Sequence, residues 1–314
     1  MDMKKIIYIL LISLFITGCG EKTKIKTEKS LYFVFATPLK EHEIWLKAKE
    51  GFDKACSEKK IHGDWLGPTA IDTAKMEEVI ETAIAQKADA IITQGVINKD
   101  IIDRAKEKGI PILLVDSDIK DCERFAYLGK NFNEQAELFL SDIEKKLGKD
   151  VFLEIGIQVA ENDFDIASEQ IKEVENVFAK HEGGFVIKTV SESKSDSVRA
   201  KKEWLNTLSS TTINVAINFA GESAISCNEA AKELEIRDAM LIYGVDDMPE
   251  TIKLIKDKQI DGSVATSFYN YGYEGVNWLY DYLVNGKELT QKVNSVKLVL
   301  VTKENVDDYQ EELK

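Results

Sequence analysis

From Leu31 onward the chain alternates short apolar runs with stretches in which apolar residues recur at helical spacing. "LYFVFA" has the character of a buried strand. The segment after it places Trp45, Ala48, Phe52 and Ala55 at i, i+3, i+7 and i+10, one face of a helix. "IHGDWLG" predicts a second strand, "MEEVIETAIAQ" a helix with Met76, Ile80, Ala83 and Ile84 on one side, and "ADAIITQ" a third strand. "KDIIDRAKEKG" is a helix stopped at Gly109 with Pro111 just beyond, and "PILLVDS" is the fourth strand. The same alternation then begins again, with strands over 151–157, 184–190, 213–220 and 239–247 and helical segments over 168–179, 197–208 and 222–234.

Strands that alternate with helices predict parallel sheets covered by helices on both faces. The expected class is therefore α/β, with two consecutive doubly wound halves of similar size. A strand over 262–268, the helix "YEGVNWLYDYLVNG" and the strand "SVKLVLVT" are left over. They need not belong to the second half, and a chain that crosses back to the first would make a hinge of several strands.

Before Leu31 the pattern is different. "MDMKK" supplies positive charge and "IIYILLISLFI" is an apolar run of 11 residues, too short for a bilayer and suited to a signal-peptide core. It ends in "ITGC", which resembles the lipobox of bacterial lipoproteins, where the Cys19 thiol takes diacylglycerol after cleavage. A plain signal peptide with an incidental cysteine is the alternative. Residues 1–18 are thus expected to be removed, and the polar stretch 19–30 to serve as a lipidated tether.

Composition changes this picture little. With 44% hydrophobic and 31% charged residues, the 314-residue chain has the balance of a globular protein of two domains. Its net charge of −14, with no basic patch, argues against a nucleic-acid partner. Cys56, Cys122 and Cys227 are odd in number without short spacing, and His42, His62 and His181 are scattered. Neither a metal site nor a disulfide framework is predicted, and no cofactor is expected.

In open parallel sheets, ligands lie beyond the carboxyl ends of the strands. The polar segments at those ends are "TPLKEHEIW", "DSD", "QVAENDFD", "FAGES" and "VDD". Five such segments converge only if the two lobes face each other.

The segments "WLGPTAIDTAKMEEVIETAIAQKADAII", "GIPILLVDSD", "IYGVDDMPETIKLIKDKQIDGSVATS" and "YGYEGVNWLYDYLVNGK" follow one another in a familiar order. In them the mature chain resembles the periplasmic sugar-binding proteins of the ribose, galactose and autoinducer-2 group. The autoinducer-2 and rhamnose binders are especially similar around "GPT" and around "DSD" followed by "CER". The resemblance implies a periplasmic binding protein type I fold, in which two lobes joined by a three-strand hinge close on one sugar. It places the crossovers near 128–131, 262–267 and 289–294. The first lobe is then 31–128 plus 267–292, and the second 129–266 plus 293–314.

The resemblance also implies site residues. Asp116, at the end of the fourth strand, would accept hydroxyl hydrogen bonds; an Asx-turn aspartate is the alternative. Ser117 stands where ribose-type binders carry an arginine, so Lys40 or His42 is expected to complement the carboxylates. Trp45 would stack on the sugar, although its spacing with Ala48 and Phe52 equally suits a core residue. Asp163 is expected in the second lobe's polar cluster, with Asn162 and Asp165 competing for the role. Phe219 and Glu222 stand where a glutamine, asparagine and aspartate follow one another in that family. Asp246 in "GVDD" matches an aspartate before the hinge, and Thr266 replaces a glutamine.

An ionised carboxylate accepts two hydroxyl hydrogens in strong, charge-assisted bonds, which suits a sugar. No GxGxxG opens a helix, no P-loop is present and no Ser/His/Asp order is compelling, so an enzyme is not expected. The expected function is a monomeric, lipid-anchored, extracytoplasmic sugar-binding protein. Its partners would be a small carbohydrate and the permease of an ABC transporter. The alternative is a sensing subunit that docks on a membrane histidine kinase or chemoreceptor.

Overall fold

The computed structural model describes residues 30–313; the expected signal segment, Cys19 and nearly all of the tether lie outside them. Two six-stranded sheets organise the chain, each covered by helices on both faces. The first sheet contains β1 (Tyr32–Ala36), β2 (His62–Leu66), β3 (Ala90–Gln94), β4 (Ile112–Asp116), β5 (Ala126–Gly129) and β11 (Val293–Ser295). The second contains β6 (Leu153–Val159), β7 (Phe185–Glu192), β8 (Val215–Asn218), β9 (Leu241–Val245), β10 (Gly262–Thr266) and β12 (Leu298–Val301).

The two sheets share one topology, β2-β1-β3-β4-β5-β11 in the first and β7-β6-β8-β9-β10-β12 in the second. All pairings are parallel except that of β12 with β10. Because helices cover both faces, the central strands read as continuous apolar runs: every residue of β4 is buried. The edge strand β7 alternates instead between half-buried and exposed positions.

Helices α1 (Glu43–Lys59) and α9 (Phe268–Asn285) cover one face of the first sheet, with α2 (Thr73–Ala85) and α3 (Lys99–Glu107) on the other. In the second lobe, α4 (Phe132–Leu147) and α5 (Asp165–Phe178) lie on one face. The other carries α6 (Ser197–Ser210), α7 (Ser223–Glu233), α8 (Pro249–Lys256) and the short α10 (Tyr309–Glu312). Glycines fix the α1–α9 crossing. A Cβ at Gly51 would lie 2.0 Å from the Tyr269 carbonyl oxygen, and one at Gly272 2.0 Å from that of Ala48. Either side chain would force apart the two helices that anchor the returning chain to the first lobe.

The chain passes between lobes three times: after β5, after β10, and between β11 and β12. The last crossing differs from the expectation of 289–294. Val293 to Ser295 continue the first sheet, opposite Tyr127 to Gly129, so the crossing falls at Val296 and Lys297. Of "SVKLVLVT", Ser295 ends β11 in the first sheet and Leu298–Val301 form β12 in the second, with the hinge between them. The sequence reading also passed over β5 and the helices α4, α8 and α10. Cys56, Cys122 and Cys227 are free thiols, the first and last buried. Among the described residues no helix is long and apolar enough to cross a membrane, and no cluster is arranged to hold a metal ion.

Candidate functional site

The carboxyl ends of the two sheets face a common cavity of about 110 Å³, lined from both lobes. Asp116 closes β4 and Asp246 follows β9, the topologically equivalent strand. Both adopt left-handed backbone angles, φ 63° and 68°. Such a conformation costs a non-glycine residue about 1–3 kcal/mol and aspartate tolerates it better than most. Each bend is tied down by a hydroxyl from the next strand of its own sheet. Tyr127 on β5 donates to the Asp116 carbonyl (2.8 Å), and Ser263 on β10 donates to the Asp246 carbonyl (2.6 Å).

Between the two carboxylates sits Lys130, the residue after β5 and thus part of the first hinge crossing. Its Nζ lies 3.0 Å from Asp116 Oδ1 and 3.5 Å from Asp246 Oδ1, and its side chain is only 5% exposed. The ammonium also stands 5.1 Å from the centre of the Phe268 ring. Burial works against the charged lysine, but the two carboxylates outweigh it and hold its pKa above the usual value. Burial also pushes the Asp246 carboxyl above the usual carboxylate range; Asp116 and Asp247 add to this and Lys130 opposes it.

The two aspartates are unequally supplied with donors. Asp116 accepts from Gln94 Nε2 at 2.7 Å and from Tyr271 OH at 3.4 Å, besides its ion pair. Burial and the neighbouring Asp116 charge keep the Tyr271 phenol protonated, as a donor. Asp246 Oδ1 has only the Lys130 ammonium, at the longer 3.5 Å, and the buried Oε1 of Glu222, which lines the same cavity, has no hydrogen-bond donor. A buried acceptor left unpaired costs about 1–3 kcal/mol, so an incoming donor gains most at the Glu222 oxygen and next at the weakly held Asp246 oxygen.

The expected residues divide into two groups. His42, Trp45, Asp116, Phe219 and Asp246 all line the cavity. Trp45 is at once a core residue and a wall residue: it is buried, makes an edge contact with Phe268 (centroids 5.3 Å) and still borders the cavity. His42 caps α1, its Nδ1 accepting from the Ile44 amide at 3.4 Å. Lys40, Asp163 and Thr266 do not line it. Lys40 offers its carbonyl to Trp65 Nε1, 3.1 Å away, and the cation beside the carboxylates is Lys130 instead. Asp163 is exposed, and the wall position belongs to its neighbour Phe164. Thr266 is buried at the end of β10 and borders a separate groove, shared with Lys47 and Asp247.

Sequence reasoning missed Lys130, Gln94 and Phe164. Gln94 is the last residue of "ADAIITQ", and the strand-end rule that found Asp116 applies to it equally. Lys130 carries no such local signal, because a lysine after "YLG" looks like any hinge residue.

Two ion pairs join the lobes outside the cavity. Lys47 on α1 reaches Asp247 Oδ1 of the second lobe at 2.5 Å, and Asp247 is buried and accepts from Tyr309 OH at 2.9 Å. The second joins Lys120 to Glu169 of α5 at 2.5 Å, where both groups are more exposed. The lobes are thus drawn together over the cavity.

No curated protein sequence matches the chain. Among solved structures it is similar to GanP, a glucose-galactose binding protein from Geobacillus stearothermophilus. Identity is 20% and the TM-score 0.82, over 89% of this chain and 100% of that one. It is similar also to the XylFII–LytSN complex, at 22% identity and TM-score 0.80, over 88% of this chain and 99% of that one. A third is an ABC transporter solute-binding protein from Burkholderia graminis in complex with D-arabinose, at 19% identity and TM-score 0.82, over 91% and 99%. At these identities the likeness is one of fold. The sequence model of the periplasmic binding protein domain matches residues 33–288. With its two doubly wound lobes, its three-strand hinge and this match over most of its length, the chain belongs to the periplasmic binding protein domain family.

Proposed function

We propose that the protein is an exported, lipid-anchored sugar receptor whose lobes close on a small carbohydrate and deliver it to the permease of an ABC transporter. One observation carries this reading. Strand-end carboxylates from both lobes converge on one cavity that has an unpaired buried acceptor on Glu222 and apolar, partly aromatic walls. Hydroxyl donors suit the acceptors, and the C–H faces of a sugar ring suit Trp45, Phe164 and Phe219. A carbohydrate that touches both lobes favours the closed form, and differential affinity of that kind is what shifts the population. Nothing in this arrangement calls for turnover, and the protein is read as a receptor and not as an enzyme. The similar structures named for glucose-galactose binding and for bound D-arabinose support the same ligand class.

A thermal-shift screen of pentoses, hexoses, deoxysugars and autoinducer-2 tests the binding reading. A true ligand at a hundred times its dissociation constant adds about 2.7 kcal/mol to stability. A flat response across the whole screen would count against sugar binding. The similarity to the XylFII–LytSN complex favours a second reading, in which the closed receptor docks on a membrane sensor. A pull-down from detergent-solubilised membranes separates the two: a permease supports delivery, a histidine kinase or chemoreceptor supports sensing.

A further inference from the structure

The charges around the cavity do not balance. Five carboxylates line it (Asp72, Asp116, Glu161, Glu222 and Asp246), against one ammonium, that of Lys130. Two of the five are satisfied elsewhere: Asp72 caps α2 by accepting from the Lys75 amide at 3.0 Å, and Glu161 pairs with Lys194 at 3.1 Å. Asp116 and Asp246 share Lys130. Glu222 has no ion pair among the described residues. The inner site therefore holds three carboxylates and one cation. Within that group Glu222 Oε1 has no hydrogen-bond donor, and Asp246 Oδ1 has only the Lys130 ammonium, 3.5 Å away and nearer to Asp116.

The two acceptors stand on adjoining segments. Gly221, next to Glu222, packs directly against the loop after β9: a Cβ there would lie 2.8 Å from Met248 Sδ and 3.7 Å from Asp246 Oδ2. The segment "FAGES" is thus held beside "VDD", and Glu222 and Asp246 border one corner of the cavity. A neutral hydroxyl satisfies one acceptor but leaves the surplus charge enclosed when the lobes close. A protonated amine has three donors and one positive charge, and it meets both needs at once.

We propose that the ligand carries a protonated amine, placed between Glu222 and Asp246, so that the preferred substrate class is an amino-substituted sugar over its neutral parent. This deepens the reading of the cleft as a sugar site and rests on it. The hydroxyls of the same ring remain available to Gln94 and the Lys130–Asp116 pair, and its apolar face to Phe164 and Phe219. The amine replaces a hydroxyl of nearly the same size, so the preference is electrostatic and not steric.

Isothermal titration of the mature chain with matched pairs tests this: D-glucosamine against D-glucose, D-galactosamine against D-galactose, and 2-amino-2-deoxyribose against ribose. The expected result is at least tenfold tighter binding of an amine over its parent in one pair. In Glu222→Gln, which keeps the shape and removes the charge, that ratio should fall close to one. Equal or tighter binding of the neutral parents would overturn the amine assignment and leave sugar binding standing. A retained tenfold preference in Glu222→Gln would overturn the placement at Glu222. Absence of heat and of any thermal shift with both members of every pair would overturn this inference and the sugar reading with it.

Discussion

Asp116 and Asp246 occupy equivalent positions in the two lobes and share a single cation, Lys130, at 3.0 and 3.5 Å. Each follows the fourth strand of its lobe in chain order, each bends through a left-handed residue, and each bend is held by a hydroxyl from the strand beside it. The lysine belongs to the hinge that joins them. Removing it should therefore expose the repulsion it suppresses. Lys130→Met leaves two buried carboxylates without a cation, and breaking a buried pair in this way costs about 3–5 kcal/mol. The Asp246 carboxyl, already above the usual range and then without the cation that lowers it, takes up a proton more readily when folded than when unfolded. The folded state gains from protonation, so the loss should be largest at neutral pH and shrink on acidification. Urea unfolding at pH 7 and pH 5 measures it; an equal loss at both values would mean that Lys130 does not screen the pair.

Asp246 carries a pH signature of its own. Its carboxyl sits above the usual carboxylate range through burial first, then Asp116 and Asp247, with Lys130 and His42 acting against the rise. In the window between the unfolded value, about 3.9, and the raised folded value, the folded protein binds more protons than the unfolded one. Through this window the Asp246 contribution to unliganded stability falls as pH rises. Ligand affinity should change in the opposite sense, because the ionised carboxylate is the better acceptor. Titration calorimetry from pH 4 to 7 should show binding strengthening with pH, and Asp246→Asn should flatten the profile and weaken binding by about 1.5–3 kcal/mol at pH 7. A wild-type profile already flat across that range would remove Asp246 from the contact set.

How much of this was legible in the sequence depends on whether the cause was local. Apolar runs that end in aspartate locate Asp116 and Asp246, because strand burial and strand-end polarity are written within a few residues. Lys130 was hidden because its meaning comes from two partners on different sheets, assembled only when the hinge strands pair. Asp163 shows the opposite case, a residue expected at the site that does not line the cavity. A polar residue was sought in "ENDFD", and the helix that begins at Asp165 turns Asp163 outward and leaves Phe164 at the wall. The third crossing lies later than expected for a similar reason: β11 is three residues long, largely exposed and without an apolar run of its own, so only the buried β12 reads as a strand.

The Lys47–Asp247 contact lies outside the cavity yet joins the lobes, so it should act on affinity through closure alone. Lys47 is about a third exposed, and pairs of this kind are worth about 1 kcal/mol or less. Lys47→Met should weaken binding by up to about fivefold, with no change in the order of preferred sugars. Small-angle scattering of the unliganded variant should give a larger radius of gyration than the wild type. Unchanged affinity together with unchanged scattering would show that the pair does not hold the cleft shut.

Phe164 and Asp163 give the sharpest local comparison, since they are neighbours in sequence and differ in access to the cavity. Phe164 borders the cavity from the second lobe, as Trp45 does from the first, and its half-buried ring offers an apolar face to a ligand. Phe164→Ala should weaken sugar binding by about 0.5–1.5 kcal/mol, the usual worth of an aromatic contact. Asp163→Ala removes an exposed side chain and should leave the dissociation constant within twofold of wild type. Calorimetry on the two variants side by side decides the register of the second-lobe wall. If Asp163→Ala were the one to lose affinity, the chain between β6 and α5 would have to rotate by one residue when ligand binds, exchanging the aromatic wall for a carboxylate.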